Sequence, residues 1–134
     1  MSTSHTSPND SEHDLAALQG LWEQVDFEEN GIFNPPDEHG APGALTLIRG
    51  HRFEVRTIEG NLLLEGSFTL DASTTPKGIT WVDSMGADAG KQLLASYQLE
   101  GDRFVFIAAD EGMPRPTVFR TEPGLTMRGF VRRQ

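Results

Sequence analysis

Residues 62–70 read Leu-Leu-Leu-Glu-Gly-Ser-Phe-Thr-Leu, and this stretch decides the fold class. Starting at Leu62, every second residue is apolar or glycine as far as Leu70, and the positions between them are mostly polar, with Glu65 near the centre. Successive side chains of a β-strand point to opposite faces of the sheet. The pattern therefore predicts a strand with one buried face and one solvent-facing side.

The same design recurs along the chain, with Gly, Pro, Asn and Asp between the apolar runs. Tight turns at Gly50-His51 and at Gly101 join neighbouring runs and favour an antiparallel meander. A meander of this many strands leaves two unpaired edges unless it closes. We therefore expect an all-β fold, an antiparallel up-and-down barrel of about eight strands. The predicted strands are Leu21–Glu28, Ala44–Arg49, Phe53–Ile58, Leu62–Leu70, Ile79–Asp83, Gln92–Leu99, Phe104–Ala108, Thr117–Arg120 and Thr126–Arg132.

The N-terminal part of the chain differs from the rest. Residues 1–10 are mostly small and polar, which predicts a disordered tail. A short helix follows, with Ser11 and Asp14 as a capping box and Gly20 as the residue that ends it. We expect one domain over residues 11–134, with one long connection, Asn30–Gly43, that is rich in proline and glycine.

Charge and composition exclude several classes of function. The chain has a formal net charge of −9, and residues 1–40 hold nine acidic residues and no Lys or Arg. Such a chain lacks the basic stripe that nucleic acid or an anionic membrane surface requires. It shows neither a signal peptide nor a run of about 18 apolar residues, so we expect a cytoplasmic protein. The absence of cysteine excludes disulfides and thiolate chemistry.

Both ends of the chain carry a recognisable motif. Gly20 and Trp22 form the Gly-x-Trp that opens the first strand of lipocalins, and Arg132 and Arg133 lie near the end of the last strand. More motifs follow in order: Gly50-x-Arg52-Phe53, Glu65-Gly66-x-Phe68-x-Leu70-Asp71, Pro76-Lys77-x-Ile79, Tyr97-x-Leu99-x-Gly101-Asp102 and Arg115-Pro116-x-x-Phe119.

This series resembles a bacterial lipocalin-like domain of unknown function found in planctomycete-type genomes, over about residues 15–133. The resemblance implies a lipocalin-like barrel with a short N-terminal helix, and it implies no activity. It also implies that Arg132 or Arg133 stacks over Trp22 as a cation–π contact and closes one end of the barrel. Gln24 departs from the pattern, since an apolar inward residue is expected there. The positions of Trp22, Val25 and Phe27 indicate a bulge in the first strand.

A search for catalytic or metal-binding motifs is negative. The sequence has no nucleophile elbow, phosphate loop or dinucleotide fingerprint. His5, His13, His39 and His51 lack the spacing of a zinc site, and residues 83–90 lack the ligand pattern of a calcium loop. We therefore expect no metal, no cofactor and no catalytic residue that a motif identifies.

The interior of the barrel is the remaining candidate site. Its bulky side chains either fill the barrel as a core or line a pocket for a small apolar or amphipathic molecule, with the Tyr97 hydroxyl and the Trp81 indole N–H as polar groups. Arg115 is a further candidate, for an anion at the barrel mouth, and a structural role for it is the alternative. The predicted ligand-facing residues are Phe53, Val55, Leu64, Phe68, Trp81, Tyr97, Phe104 and Phe106.

Two other functions stay open at this point. The acidic segment, including Glu28, Glu29, Asp37 and Glu38, would steer a filled barrel towards a basic protein partner such as a toxin, an enzyme or a ribosomal surface. Alternatively, the barrel would act as a cyclase or isomerase by confining a reactive substrate, a mechanism that leaves no sequence motif. The sequence gives no oligomeric state.

Overall fold

The computed structural model describes residues 8–29, 31–33, 44–86 and 89–133. They form one helix, α1 (Pro8–Leu18), and nine strands. The strands are β1 (Gly20–Glu29), β2 (Ile32–Phe33), β3 (Leu45–Arg49), β4 (Arg52–Arg56), β5 (Leu62–Asp71), β6 (Lys77–Asp83), β7 (Gln92–Glu100), β8 (Arg103–Ala109) and β9 (Leu125–Arg133).

The strands form a closed antiparallel barrel, which confirms the predicted fold class. The order is β1-β3-β4-β5-β6-β7-β8-β9, and β9 pairs again with β1, so eight strands make the wall. The short β2 pairs antiparallel with β1 at Glu28 and Glu29 and is not one of these eight strands. Closure satisfies both edges of the sheet, as the sequence argument required.

One predicted strand, Thr117–Arg120, is wrong. Residues 110–124 form an irregular connection, because β8 and β9 pair directly from Ala109 opposite Leu125 onwards and leave no edge for another strand. This connection packs on the outside of the barrel, where Pro116 is buried and its carbonyl oxygen accepts a hydrogen bond from Ser96.

Helix α1 begins at Pro8 rather than at Ser11, which fits the tolerance of a first helical turn for proline. Residues 1–7, the remainder of the predicted tail, lie outside the described residues. The predicted capping box is also wrong. The Ser11 hydroxyl oxygen accepts a hydrogen bond from the Ala72 N–H at 2.9 Å, and Asp14 binds side chains of the barrel, so both residues dock the helix.

The bulge predicted in β1 is confirmed. The register between β1 and β9 shifts between Gln24 and Asp26, which inserts Val25 as the extra residue. As a result, Phe27 lies on the same face of β1 as Trp22 and Gln24, whereas an unbroken two-residue alternation would put Phe27 on the opposite face.

The two ends of the barrel differ. At the closed end, Ser11 of α1 contacts the turn after β5 at Ala72. Gln19, which follows α1, contacts the turn after β3, where its side chain donates to the Gly50 carbonyl oxygen and accepts from the Gly50 N–H. At the open end lie residues 57–61, the described part of the β6–β7 connection and residues 110–124. Any site inside the barrel is therefore reached from the open end. Among the described residues, no helix is long and apolar enough to cross a membrane.

Candidate functional site

The closed end is built around Trp22 and Arg132, the pair that the resemblance implies. The Arg132 Cζ atom lies 4.3 Å from the centre of the fully buried Trp22 ring. The same guanidinium donates to the carbonyl oxygens of Gln19, at 2.9 Å, and of Ala17, and pairs with Asp102 at 3.1 Å. Arg132, and not Arg133, therefore carries the cation–π contact.

Neighbouring residues complete this closure. Arg133 faces outward and pairs with Glu23 at 2.7 Å. The Trp22 indole N–H donates to the Leu18 carbonyl at 2.8 Å, which ties the barrel floor to the end of α1. Gly20 has a φ of 118°, in a region where side chains are strained, and an added Cβ would meet Arg132 Nη1 at 3.4 Å.

A buried polar cluster joins the helix to the wall of the barrel. The Tyr97 hydroxyl donates to Asp14 Oδ2 at 2.6 Å, and Lys77 Nζ lies 3.0 Å from the same oxygen. Burial first, and then the contact with the Asp14 carboxylate, raise the pKa of Tyr97 above its usual range. Tyr97 is 1% exposed, so this cluster holds α1 in place rather than facing a ligand.

Above the closed end, the barrel encloses a cavity of about 350 Å³ that opens at the other end. This volume lies above the lower end of about 300 Å³ for ligand sites. The main wall residues are Trp22, Gln24, Thr46, Ile48, Phe53, Val55, Leu64, Trp81, Leu93, Phe104, Phe106, Ala108, Ala109, Arg128 and Phe130, and the rim is formed by Glu29, Asp83, Asp110, Glu111 and Thr126.

One wall of the cavity is aromatic. The Trp81 ring lies 5.1 Å from Phe53, edge to face, and 4.9 Å from Phe106. Phe104 stacks on Phe130 at 5.6 Å nearer the floor. Among the described residues, the Trp81 Nε1 atom is buried without a hydrogen-bond partner. These contacts give a firm apolar surface on the β4, β6 and β8 side.

The opposite wall, from β1, β3 and β9, contains Trp22, Ile48 and Phe130 but also three polar side chains below the rim, and we call it the polar wall. Gln24 is 3% exposed and Thr46 is 6% exposed, and both line the cavity. Arg128 Nη1 donates to Gln24 Oε1 at 3.0 Å, and the Arg128 Cζ atom lies 4.3 Å from the centre of the buried Phe27 ring. Because burying polar groups without hydrogen-bond partners is costly, the hydrogen bond between Arg128 and Gln24 stabilises these two side chains inside the barrel.

The rim of the cavity is acidic. Asp110 and Glu111 are exposed, whereas Glu29 and Asp83 are half-buried. The Lys91 Nζ atom lies 3.9 Å from Glu111 Oε1. The cavity therefore changes character with depth, from aromatic at the floor, through one polar wall, to a negatively charged entrance.

The structure separates the predicted ligand residues into two groups. Six of them line the cavity: Phe53, Val55, Leu64, Trp81, Phe104 and Phe106. Phe68 and Tyr97 are buried in the core and do not line it. Arg115 lies outside the barrel, where its guanidinium donates to the carbonyl oxygens of Ile79 and Ala95 and to the Thr80 hydroxyl at 3.0 Å. It braces β6 and β7 from outside.

The polar wall was not among the predicted site residues. In the sequence, Gln24 is a departure from the expected apolar pattern, and in the structure it is 3% exposed and lines the cavity. Arg128 could have been found by counting back in steps of two from Arg132 through Phe130, since residues of that parity share one face of β9.

Parts of the other predicted sites lie outside the described residues. These parts are residues 30 and 34–43 of the long connection, which include Asp37 and Glu38, and residues 87–88 of the Gly-rich turn. Of the acidic segment, Glu28 accepts a hydrogen bond from the Thr121 hydroxyl on the outer surface, and Glu29 lies at the rim of the cavity.

Comparisons of the chain with protein-family models, curated proteins and solved structures find no match. The architecture itself, a closed eight-stranded antiparallel barrel with a short N-terminal helix, is compatible with a lipocalin-like barrel.

Proposed function

We propose that the protein binds a small amphipathic molecule inside the barrel and takes it up through the open end. The observation that carries this proposal is the 350 Å³ cavity, which has one aromatic wall and one polar wall. Small-molecule sites combine a mostly apolar lining with a few polar groups that orient the ligand. A barrel that served only as a scaffold would be filled by its own side chains.

The closed end supports the same proposal. The Trp22–Arg132 contact there has the form that the lipocalin-like resemblance implies. Gly20 and Arg132 serve closure, and Trp22 both packs against Arg132 and lines the cavity.

The test is native mass spectrometry of the gently purified full chain, with the same sample measured under denaturing conditions. The expected result is a mass excess in the native spectrum that disappears on denaturation. A variant that blocks the cavity, Ala108→Phe, should lose the excess, because Ala108 is a small side chain on the cavity wall.

Val82→Phe is the matched control, since Val82 lies on the outward face of β6, between Trp81 and Asp83 that face the cavity. It should keep the bound mass. Both variants should retain the circular dichroism of the parent. The proposal is refuted if the purified chain carries no bound mass and also binds none of a set of two-ring aromatic probes in calorimetry. The set contains an anionic, a neutral and a cationic probe.

A further inference from the structure

We infer that the ligand is a compact organic amine whose positively charged group lies in the upper part of the cavity, between Trp81 and Glu29. This inference rests on the proposed function, because it names the class of molecule that the cavity holds. It follows from three features of the site: the sign of the charge on its lining, the surroundings of Glu29, and the tryptophan in the aromatic wall.

The side chains that line the cavity carry a net negative charge. Among the described residues, four carboxylates and one guanidinium belong to the lining: Glu29, Asp83, Asp110, Glu111 and Arg128. Lys91, which is not part of the lining, offsets the charge of Glu111. The residues outside the described ranges include no Lys or Arg that would reverse this sign. A cleft lined by one sign of charge concentrates ligands of the opposite sign, here cations.

The single guanidinium of this lining is already used within the chain. Arg128 Nη1 donates to Gln24 Oε1 at 3.0 Å, and the Arg128 Cζ atom lies 4.3 Å from the centre of the Phe27 ring. Both Arg128 and Gln24 have further partners besides each other. An anionic ligand would have to compete with these contacts, so Arg128 does not favour an acid.

Glu29 is the carboxylate best placed to bind a cation. It ends β1 at the mouth of the barrel, opposite Thr126 of β9, and it is half-buried. Among the described residues, its carboxylate makes no hydrogen bond or ion pair, so its oxygens are available as acceptors for an ammonium group. Asp83 adds a second half-buried negative charge and keeps its own contacts within the chain. Salt screens such partly buried charges less than exposed ones.

The aromatic wall supplies a second contact for a positive charge. Trp81 lines the cavity and is 7% exposed, and its Nε1 atom has no hydrogen-bond partner among the described residues. Phenylalanine would avoid the cost of burying that N–H, so the ring is what tryptophan contributes here. Tryptophan is the best cation–π partner among the aromatic side chains. Asp83 lies two residues further along the same face of β6, about 7 Å away, so a cation beside Trp81 is also close to the acidic rim.

The remainder of the ligand must be apolar and small. Towards the floor, the lining includes Trp22, Phe104 and Phe130. At an interior packing density of about 0.75, a cavity of about 350 Å³ accommodates roughly 260 Å³ of van der Waals volume. This volume has room for a two-ring aromatic body that carries one amino group.

The test uses three probes that share a naphthalene body and differ in charge at neutral pH: 2-naphthylmethylamine, 2-naphthylmethanol and 2-naphthoate. Their affinities for the full chain are measured by isothermal titration calorimetry. We expect the amine to bind about tenfold more tightly than the alcohol, which corresponds to about 1.4 kcal/mol. The acid should bind more weakly than the alcohol, because the lining repels it.

Two variants locate the charged group. Glu29→Gln and Trp81→Phe should each lower the ratio of amine affinity to alcohol affinity about threefold, since each removes one favourable contact with the cation. The ratio cancels changes of shape that affect both probes equally. Glu59→Gln is the matched control, because it removes the same charge from an exposed turn at the open end that does not line the cavity. It should leave the ratio unchanged.

Each outcome has a distinct meaning. Equal affinities of the parent chain for the amine and the alcohol, tighter binding of the acid, or equal effects of Glu29→Gln and Glu59→Gln would overturn the inference while the proposed function stands. A co-purified molecule without a basic nitrogen would do the same. A chain that carries no bound mass and binds none of the three probes would overturn both. If Trp81→Phe does not fold, the parent series and Glu29→Gln decide.

Discussion

The contact between Tyr97 and Asp14 should contribute a measurable part of the stability. Tyr97→Phe keeps the ring in its fully buried position and removes the hydroxyl that donates to Asp14 Oδ2 at 2.6 Å. Hydrogen bonds to charged groups contribute about 1.5–3 kcal/mol. Lys77 still faces the carboxylate, so we expect a loss of about 2 kcal/mol in the free energy of unfolding. With an unfolding entropy of about 2.1 cal/mol/K per residue over 134 residues, this loss lowers Tm by roughly 7 °C.

The assay is a double-mutant cycle of Tyr97→Phe and Asp14→Ala, measured by urea unfolding. Because the two side chains contact each other, their effects should be non-additive by about 1 kcal/mol or more. Glu12→Ala, an exposed substitution in the same helix, should change stability by less than about 0.5 kcal/mol. Additive effects of Tyr97→Phe and Asp14→Ala, or a Tyr97→Phe effect as small as that of the control, would refute the assignment of this contact as the anchor of α1.

Three further predictions concern stability. Tyr97 is the single tyrosine, so tyrosinate absorbance should be absent from the folded chain at pH 10–11 and should appear near pH 10 in urea. The free energy of unfolding should fall above about pH 10, because the unfolded chain then loses the tyrosine proton that the folded chain keeps. Ionisation of Tyr97 in the folded chain near pH 10 would contradict this prediction. Gly66→Ala should cost about 2–3 kcal/mol in thermal unfolding, because its Cβ would overlap the Val82 carbonyl oxygen and meet Phe53 Cε1 at 2.9 Å, whereas Ser67→Ala on the outer face should be nearly neutral. Arg132→Leu should cost about 2–3 kcal/mol and Arg133→Leu less than about 1 kcal/mol; equal losses would contradict the assignment of Arg132 to the closed end.

The barrel could be predicted from the sequence because its strands alternate so regularly. The run from Leu62 to Leu70 and the run from Gln92 to Leu99 both became strands within one residue of the expected bounds. The strand predicted at Thr117–Arg120 failed because strand propensity is local, whereas pairing depends on an available edge. Direct pairing of β8 with β9 had removed that edge.

The cavity is harder to predict than the wall that surrounds it. Alternation identifies which side chains point inward, and it assigned Phe53, Trp81 and Phe106 correctly to the cavity. Alternation cannot give the depth of a side chain along the barrel axis. Trp81 and Tyr97 both point inward, but Trp81 lines the cavity, whereas Tyr97 lies where its hydroxyl donates to Asp14 of α1. The space left between facing side chains depends on the stagger of all eight strands, which no single strand encodes.

The polar residues follow a division between the two ends that the sequence does not display. At the closed end, the polar atoms of Arg132 are used within the chain, on main-chain carbonyls and on Asp102, so changes there should act on stability. In the upper half, Arg128 is paired with Gln24 on the wall of the open cavity. Two arginines four residues apart on one strand thus have different surroundings: Arg132 seals the closed end, and Arg128 lines the cavity.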